Sequence, residues 1–265
     1  MRRPTRDTLG RLKHVPPFAS DALVLRSHKL GETSKIVVLL TRERGKLRAV
    51  ARGARGKRSR YQSALEPLSE VRASFYGRQG TELFRLGDCE LLRSAFLAGS
   101  RGLQNALAFS YFAELLDAFC PEGQAEDDVY RLAVSVIRAA DDGRPAEVLS
   151  RYLEAWLLRL HGLYPSTSRC ASCGKPLPEG ELRYHAAAHG FLCSACEPAA
   201  GPFLSRATRE LLEGMFKTAP GSLAAATVPS LRPLEPFHHE LISRHLERDL
   251  RSFRVLSEMQ REGLS

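Results

Sequence analysis

The chain contains no apolar run approaching the roughly 18 residues that a membrane span needs. Ile36–Leu40 is typical of the runs it does have. No apolar segment of the kind a secretory leader carries follows the basic start, so a soluble, intracellular protein is expected. Signatures of catalysis are missing as well. Gly56-Lys57 lacks the upstream glycine and the following hydroxyl residue of a phosphate-binding loop. No Gly-x-Ser-x-Gly elbow occurs. His239-Glu240 begins like a zinc-protease helix, but Ser243 stands where the second histidine is required, so His238, His239 and His245 are read as surface or helix-packing residues. Asp127-Asp128 and Asp141-Asp142 fall at expected helix ends, where capping accounts for them. No acidic cluster suits Mg²⁺, and an enzyme is not expected.

Acids are also scarce in one third of the chain. Residues 1–93 hold 21 Lys and Arg against nine Asp and Glu, whereas residues 94–265 hold 18 against 21. The net charge of +9 therefore resides in the N-terminal third, where a polyanion should dock.

A length of 265 residues suggests about two domains, and 43% hydrophobic residues suffice for a sizeable core. Residues 1–20 mix Arg, Lys, Pro and Gly without periodicity and read as a basic, flexible arm. Short β-type runs follow at Ala22–Arg26, Lys35–Thr41, Lys46–Arg52, Leu68–Tyr76 and Thr81–Leu92, with turns at Arg44-Gly45-Lys46 and Gly77-Arg78-Gln79-Gly80. Five strands over residues 21–93 make a small barrel of the oligonucleotide-binding (OB) or SH3-like kind. Apolar residues then recur at helical spacing over 101–119, after Asp127 or Asp128 as N-cap, from Pro145 through Leu160, after Ser205, and in one long helix over about 235–261. The helical part, 94–168 and 203–265, is interrupted by a module at 169–202.

That module carries Cys170-x2-Cys173-x19-Cys193-x2-Cys196, which matches a zinc-ribbon spacing. Two Cys-x-x-Cys turns facing each other close a tetrahedron, so one Zn²⁺ is expected, and with no position open for water it is structural. His185 and His189 lie between the pairs and are not needed. Cys89 and Cys120 read as small buried hydrophobes.

Residues 42–60 hold nine basic residues and one acid. Arg44, Lys46, Arg48, Arg52, Arg55, Lys57, Arg58 and Arg60 are the expected contacts to nucleic-acid phosphates, on a strand and on a loop loosened by Gly53 and Gly56. Tyr61, Phe75, Tyr76 and Phe84 are candidate platforms for unpaired bases, although each fits a core position as well.

Read in order, Ala22-Leu23-Val24-Leu25-Arg26, Leu30-Gly31-Glu32-Thr33-Ser34-Lys35-Ile36-Val37, Thr41-Arg42-Glu43-Arg44-Gly45-Lys46 and Ala51-Arg52-Gly53-Ala54-Arg55 resemble the N-terminal signature of the RecO family of bacterial recombination mediators. Arg151-Tyr152-Leu153-Glu154, Gly162-Leu163-Tyr164-Pro165 and Cys170-Ala171-Ser172-Cys173-Gly174 are similar to its central signature, and Asp249-Leu250-Arg251-Ser252 to its C-terminal helix. The resemblance implies an α+β multidomain protein: an N-terminal OB-fold β-barrel, then an all-helical domain with an inserted four-cysteine zinc-binding module. It also implies a cytoplasmic, nucleoid-associated DNA repair and recombination function in the RecFOR pathway. The family binds single- and double-stranded DNA, anneals strands coated by single-stranded-DNA-binding protein, and helps RecA load together with RecR. The arm at 1–20 is longer than the family's usual start, and some members lack the cysteines, so the metal is not the annealing device. On composition alone, a zinc-ribbon RNA-binding protein of the ribosome or translation is the alternative.

Overall fold

In the computed structural model, residues 14–78, 82–196, 203–223 and 231–262 are described. Five strands, β1 (His14–Leu30), β2 (Ser34–Thr41), β3 (Gly45–Ala51), β4 (Glu70–Arg78) and β5 (Leu83–Arg93), close into a barrel of order β1-β2-β3-β5-β4. The parallel pairing of β3 with β5 is the OB arrangement; a meander would have paired β3 with β4.

The arm expected over 1–20 needs correction. Residues 1–13 lie outside the described residues, but His14–Ser20 belong to β1. The first half of β1 pairs with β4, from His14↔Arg78 to Leu23↔Glu70, and the second half with β2. Pro16 and Pro17 hid this strand from the sequence. They lack an N–H for the ladder, and the register slips between Val15 and Phe18 to accommodate them.

Alternation sends Ala22, Val24, Val37, Leu39, Leu47, Ala49, Val71, Ala73 and Phe75 into the barrel. Tyr61 completes that core, its hydroxyl donating to the carbonyl of Leu86 at 3.1 Å. The opposite faces of β1 and β2 are also apolar: Leu23, Leu25, Val38 and Leu40 are buried with the helices in one core.

Among the described residues the helices are α1 (Phe96–Gly99), α2 (Leu103–Phe119), α3 (Asp127–Asp141), α4 (Ala146–Leu160), α5 (Arg206–Met215), α6 (Leu234–Leu246) and α7 (Arg251–Glu262). Ser205 caps α5 as expected, accepting from the Thr208 N–H at 3.1 Å. Glu126 and Pro145 occupy the N-caps of α3 and α4. Asp127 and Asp128 sit in the first turn, where negative charge meets the helix dipole. The long helix expected over 235–261 is two helices. Glu247 takes a left-handed conformation (φ 53°) that ends α6, and Glu114 on α2 caps α7 by accepting from the Arg251 and Ser252 N–H groups at 3.2 and 2.8 Å. Burial alone would raise the Glu114 pKa, but the hydrogen bonds from Ser252 and Arg251 outweigh it and hold the carboxyl below its usual range.

Arg151, Glu154 and His238, each 1% exposed or less, form a polar network inside the helical core. Glu154 accepts from Arg151 at 2.8 Å, from the Tyr111 hydroxyl at 2.8 Å and from His238 Nδ1 at 3.0 Å, while His238 Nε2 accepts from the Tyr164 hydroxyl at 2.9 Å. A neutral imidazole with its proton on Nδ1 satisfies both contacts. Burial holds the His238 pKa below its ordinary value of 6.5, despite the neighbouring carboxylate. The unfolded chain takes up a proton near that value and the folded one resists it, so stability from this group is present above about pH 6.5 and falls on acidification. Urea midpoints should therefore drop between about pH 7.5 and about pH 5.5, by at most about 1.4 kcal/mol per pH unit from this group. His238→Gln should show a flatter pH dependence. An unchanged slope in a folded variant would assign the acid sensitivity elsewhere.

Candidate nucleic-acid interface and metal centre

The ligand atoms of Cys170, Cys173, Cys193 and Cys196 all lie within 4.8 Å of one another. The Cys173 and Cys193 sulfurs are 3.6 Å apart, close to the roughly 3.8 Å edge of a tetrahedron with 2.3 Å metal–sulfur bonds. Two backbone features set this spacing. The Ala171 N–H donates to the Phe191 carbonyl at 2.9 Å, stitching one knuckle to the other. Gly190 permits that approach, since a Cβ there would stand 2.6 Å from the Ala171 Cβ. Backbone N–H groups of Cys173 and Cys193 draw the Cys170 pKa down to about 6, while hydrogen bonds to Cys173 and Cys193 push Cys196 up to about 11. Four thiols competing for shared protons are a donor set that a soft divalent ion relieves. The arrangement is compatible with a structural metal. The ring of His185 accepts from the Ala188 N–H, and His189 faces Arg244 at 3.1 Å, so neither joins the cluster.

The module is anchored as well as closed. Its sheet, β6 (Leu182–His185), β7 (Gly190–Leu192) and β8 (Phe203–Leu204), has the order β7-β6-β8. Tyr184 and Phe191 pack on Phe237 of α6 with ring centroids 5.0 and 5.5 Å away. Cys120 is buried, and Cys89 is half-buried against the barrel core. Burial pushes the Cys89 thiol up to about 11 and raises that of Cys120 further, as befits small apolar side chains.

The eight basic residues expected to touch phosphate divide into two groups. The β2–β3 turn is docked on the loop after α2. The Gly123 N–H donates to the Lys46 carbonyl at 2.8 Å, and Gly45, at φ 66°, lies so close that a Cβ there would stand 1.7 Å from the Gln124 carbonyl oxygen. In this seam Lys46 pairs with Asp117 at 3.2 Å and Arg48 with Glu122 at 3.1 Å, and Arg26 and Arg42 likewise pair with Asp117 and Asp127, each at 2.7 Å. Lys46 and Arg48 are thus engaged by acids of the helical part, which narrows the expected contact set. Arg44 stacks on Phe18 at 3.9 Å, and Arg60 donates to the Tyr61 hydroxyl at 2.9 Å and faces Asp88 at 3.7 Å.

The loop after β3 behaves differently. The Arg55 N–H donates to the Thr33 carbonyl at 2.9 Å and its guanidinium to the Gly31 carbonyl at 2.6 Å, fastening the loop to the β1–β2 turn. That turn carries Lys29 and Lys35, which face each other across the β1–β2 ladder. Sequence reasoning missed both, because they join the basic loop only through this long-range contact. Lys29, Lys35, Arg52, Lys57 and Arg58 pair with no carboxylate among the described residues. Of the four candidate aromatic platforms, Tyr61 and Phe75 are core, Phe84 is half-buried beside Phe18, and Tyr76 is 40% exposed.

Metal analysis of freshly purified protein under reducing conditions should give about one equivalent per chain. Cys173→Ser should lower it and increase protease sensitivity within 169–196 while leaving the barrel folded. Less than about half an equivalent in the wild-type protein would count against the site.

Two family models match, Recombination protein O N terminal over residues 17–95 and Recombination protein O C terminal over residues 101–254. Relatives described as DNA repair protein RecO include one from Koribacter versatilis, 31% identical over 91% of this chain and 98% of the relative. Another, from Anaeromyxobacter sp. (strain K), is 35% identical over 89% and 94%. A third, from Pelotomaculum thermopropionicum, is 32% identical over 90% and 93%. With both halves matched and full-length relatives above 30% identity, this chain belongs to the RecO family of DNA repair proteins.

Proposed function

We propose that this protein is a non-enzymatic mediator of homologous recombination in the RecFOR pathway. It binds single- and double-stranded DNA, anneals complementary strands coated by single-stranded-DNA-binding protein, and assists RecA loading together with RecR. The observation that carries the reading is the end of the barrel where Lys29, Lys35, Arg52, Lys57 and Arg58 stand without carboxylate partners among the described residues, beside Arg55. Elsewhere on the barrel, Arg26, Arg42, Lys46, Arg48 and Arg72 are engaged by acids. Charge left uncompensated at one place is charge available to a polyanion.

Two DNA strands repel each other, and a dense cationic surface lowers the barrier to their encounter by replacing condensed counterions. Contacts to phosphate position the strands without reading sequence, which suits a factor that must act on any break. The Cys170, Cys173, Cys193 and Cys196 site would hold one Zn²⁺ and supply local stability, not chemistry. A cytoplasmic, nucleoid-associated location follows from this function, and among the described residues no helix is long and apolar enough to cross a membrane.

If six cations touch phosphates, affinity for single-stranded DNA should fall with salt at a log–log slope of roughly −4. Reversing Arg55, Lys57 and Arg58 to Glu should reduce the slope to roughly −2, weaken binding regardless of sequence, and slow annealing of strands coated by single-stranded-DNA-binding protein. Zinc content and folding should be unchanged. Retained annealing in a folded, metal-replete triple variant would place the DNA path elsewhere.

A further inference from the structure

The outer surface of the barrel carries a row of residues whose register is fixed by three consecutive strand pairings: Ile36↔Val50, Val50↔Arg85 and Arg85↔Tyr76. All four point outward, since their neighbours Val37, Ala49, Leu86 and Phe75 fill the interior. Ile36 and Val50 are half-buried, and Arg85 and Tyr76 are exposed. Among the barrel's described aromatic residues, Phe18, Tyr61, Phe75 and Phe84 are buried or half-buried, and Tyr76 alone is exposed.

Tyr76 packs on the neighbouring strand. A Cβ built on Gly87 of the neighbouring strand would stand 2.4 Å from Tyr76 Cε2 and 2.4 Å from Ser74 Oγ. The phenol therefore lies against the bare backbone of Gly87, and a larger residue at position 87 would have to displace the ring and the Ser74 hydroxyl. The Arg85 guanidinium is 6.0 Å from the ring centroid. This exposed ring, seated on Gly87 beside the Arg85 guanidinium, stands on the same outer row as Val50 and Ile36, the residue next to Lys35.

We infer that Tyr76 is a stacking platform for one unpaired base of a single strand whose phosphates run along the basic loop, with Val50 and Ile36 continuing the row beyond Arg85. The inference rests on the nucleic-acid reading of the basic end. It adds that the barrel distinguishes single strands from duplexes, because a base must be unstacked from its neighbours to lie on the ring. Charge complementarity selects the occupant: an apolar peptide would leave Arg85 and the loop cations without counter-charge from it, whereas a nucleotide supplies an aromatic face and a phosphate together. A purely structural ring, present only to cover Gly87, would act differently, since any side chain of similar bulk would serve.

The test compares binding of the full-length protein to an oligothymidylate and to an abasic chain of equal length at one salt concentration. Wild-type protein should prefer the thymidylate on the order of tenfold. Tyr76→Leu, which keeps the cover on Gly87, should lose that preference through weaker thymidylate binding, with affinity for the abasic chain unchanged. Tyr76→Trp should retain it. Equal wild-type binding to both chains overturns the stacking site without using a variant, and so does a Leu variant that keeps the preference or loses affinity for both chains in proportion. In each of these cases the electrostatic reading stands. Wild-type protein that binds neither chain overturns that reading and the platform with it.

Discussion

Burial of the outer face of β1 and β2 against the helices is the contact on which the rest of the molecule depends. Leu23, Leu25, Val38 and Leu40 are 2% exposed or less, and they lie on the opposite side of their strands from the barrel interior. At about 1.5–3 kcal/mol for each fully buried side chain, the four supply on the order of 10 kcal/mol before entropic costs. Ion pairs around them cannot compete, since water screens a pair as exposed as Arg42–Asp127 and ordering two long side chains offsets what attraction remains. Their role is geometric. They fix how the barrel sits, and they engage the cations that the seam has partly removed from water. One face of the barrel is thereby closed, and the proposed polyanion surface is left with the turn-and-loop end and the row leading to Tyr76.

The helical part resolves a second problem, that of joining segments far apart in sequence. Arg151 and Glu154 on α4, Tyr111 on α2, Tyr164 beyond α4 and His238 on α6 share one hydrogen-bonded network in an apolar surround. Such a network adds little net stability over well-packed hydrophobes. It disfavours other arrangements of the same helices, because a slipped helix strands a buried charge. Phe237, next to His238, carries the cysteine module on its ring, so the metal-site sheet and the polar network brace the same helix.

What the sequence disclosed follows from the range of the interactions involved. The cysteine quartet was legible because its geometry is made by two four-residue knuckles. The barrel strands were legible by alternation, and Ser205 by its local cap. The N-terminal half of β1 was obscured by Pro16 and Pro17, whose tolerance depends on a bulge against β4. The break between α6 and α7 contains no proline or glycine. It arises from a left-handed Glu247 and a cap delivered by Glu114, more than a hundred residues earlier. Likewise, nothing near Lys46 or Arg48 in sequence reveals Asp117 or Glu122, so paired and unpaired cations looked alike until the fold placed the acids.

The two-sided strands have a consequence for biosynthesis. All five barrel strands leave the ribosome before α2 does, and the barrel interior can close without any later residue. Leu23, Leu25, Val38 and Leu40 cannot be covered at that stage, because their partners have yet to be translated. The nascent chain thus passes through an interval in which a finished barrel presents a bare apolar patch beside a cationic loop, a surface suited to chaperones and to unwanted self-association. Completion waits for α2, α4 and finally α6 and α7, on the far side of the cysteine module. A truncated barrel expressed alone would remain in that intermediate condition, sticky on one face and charged at one end.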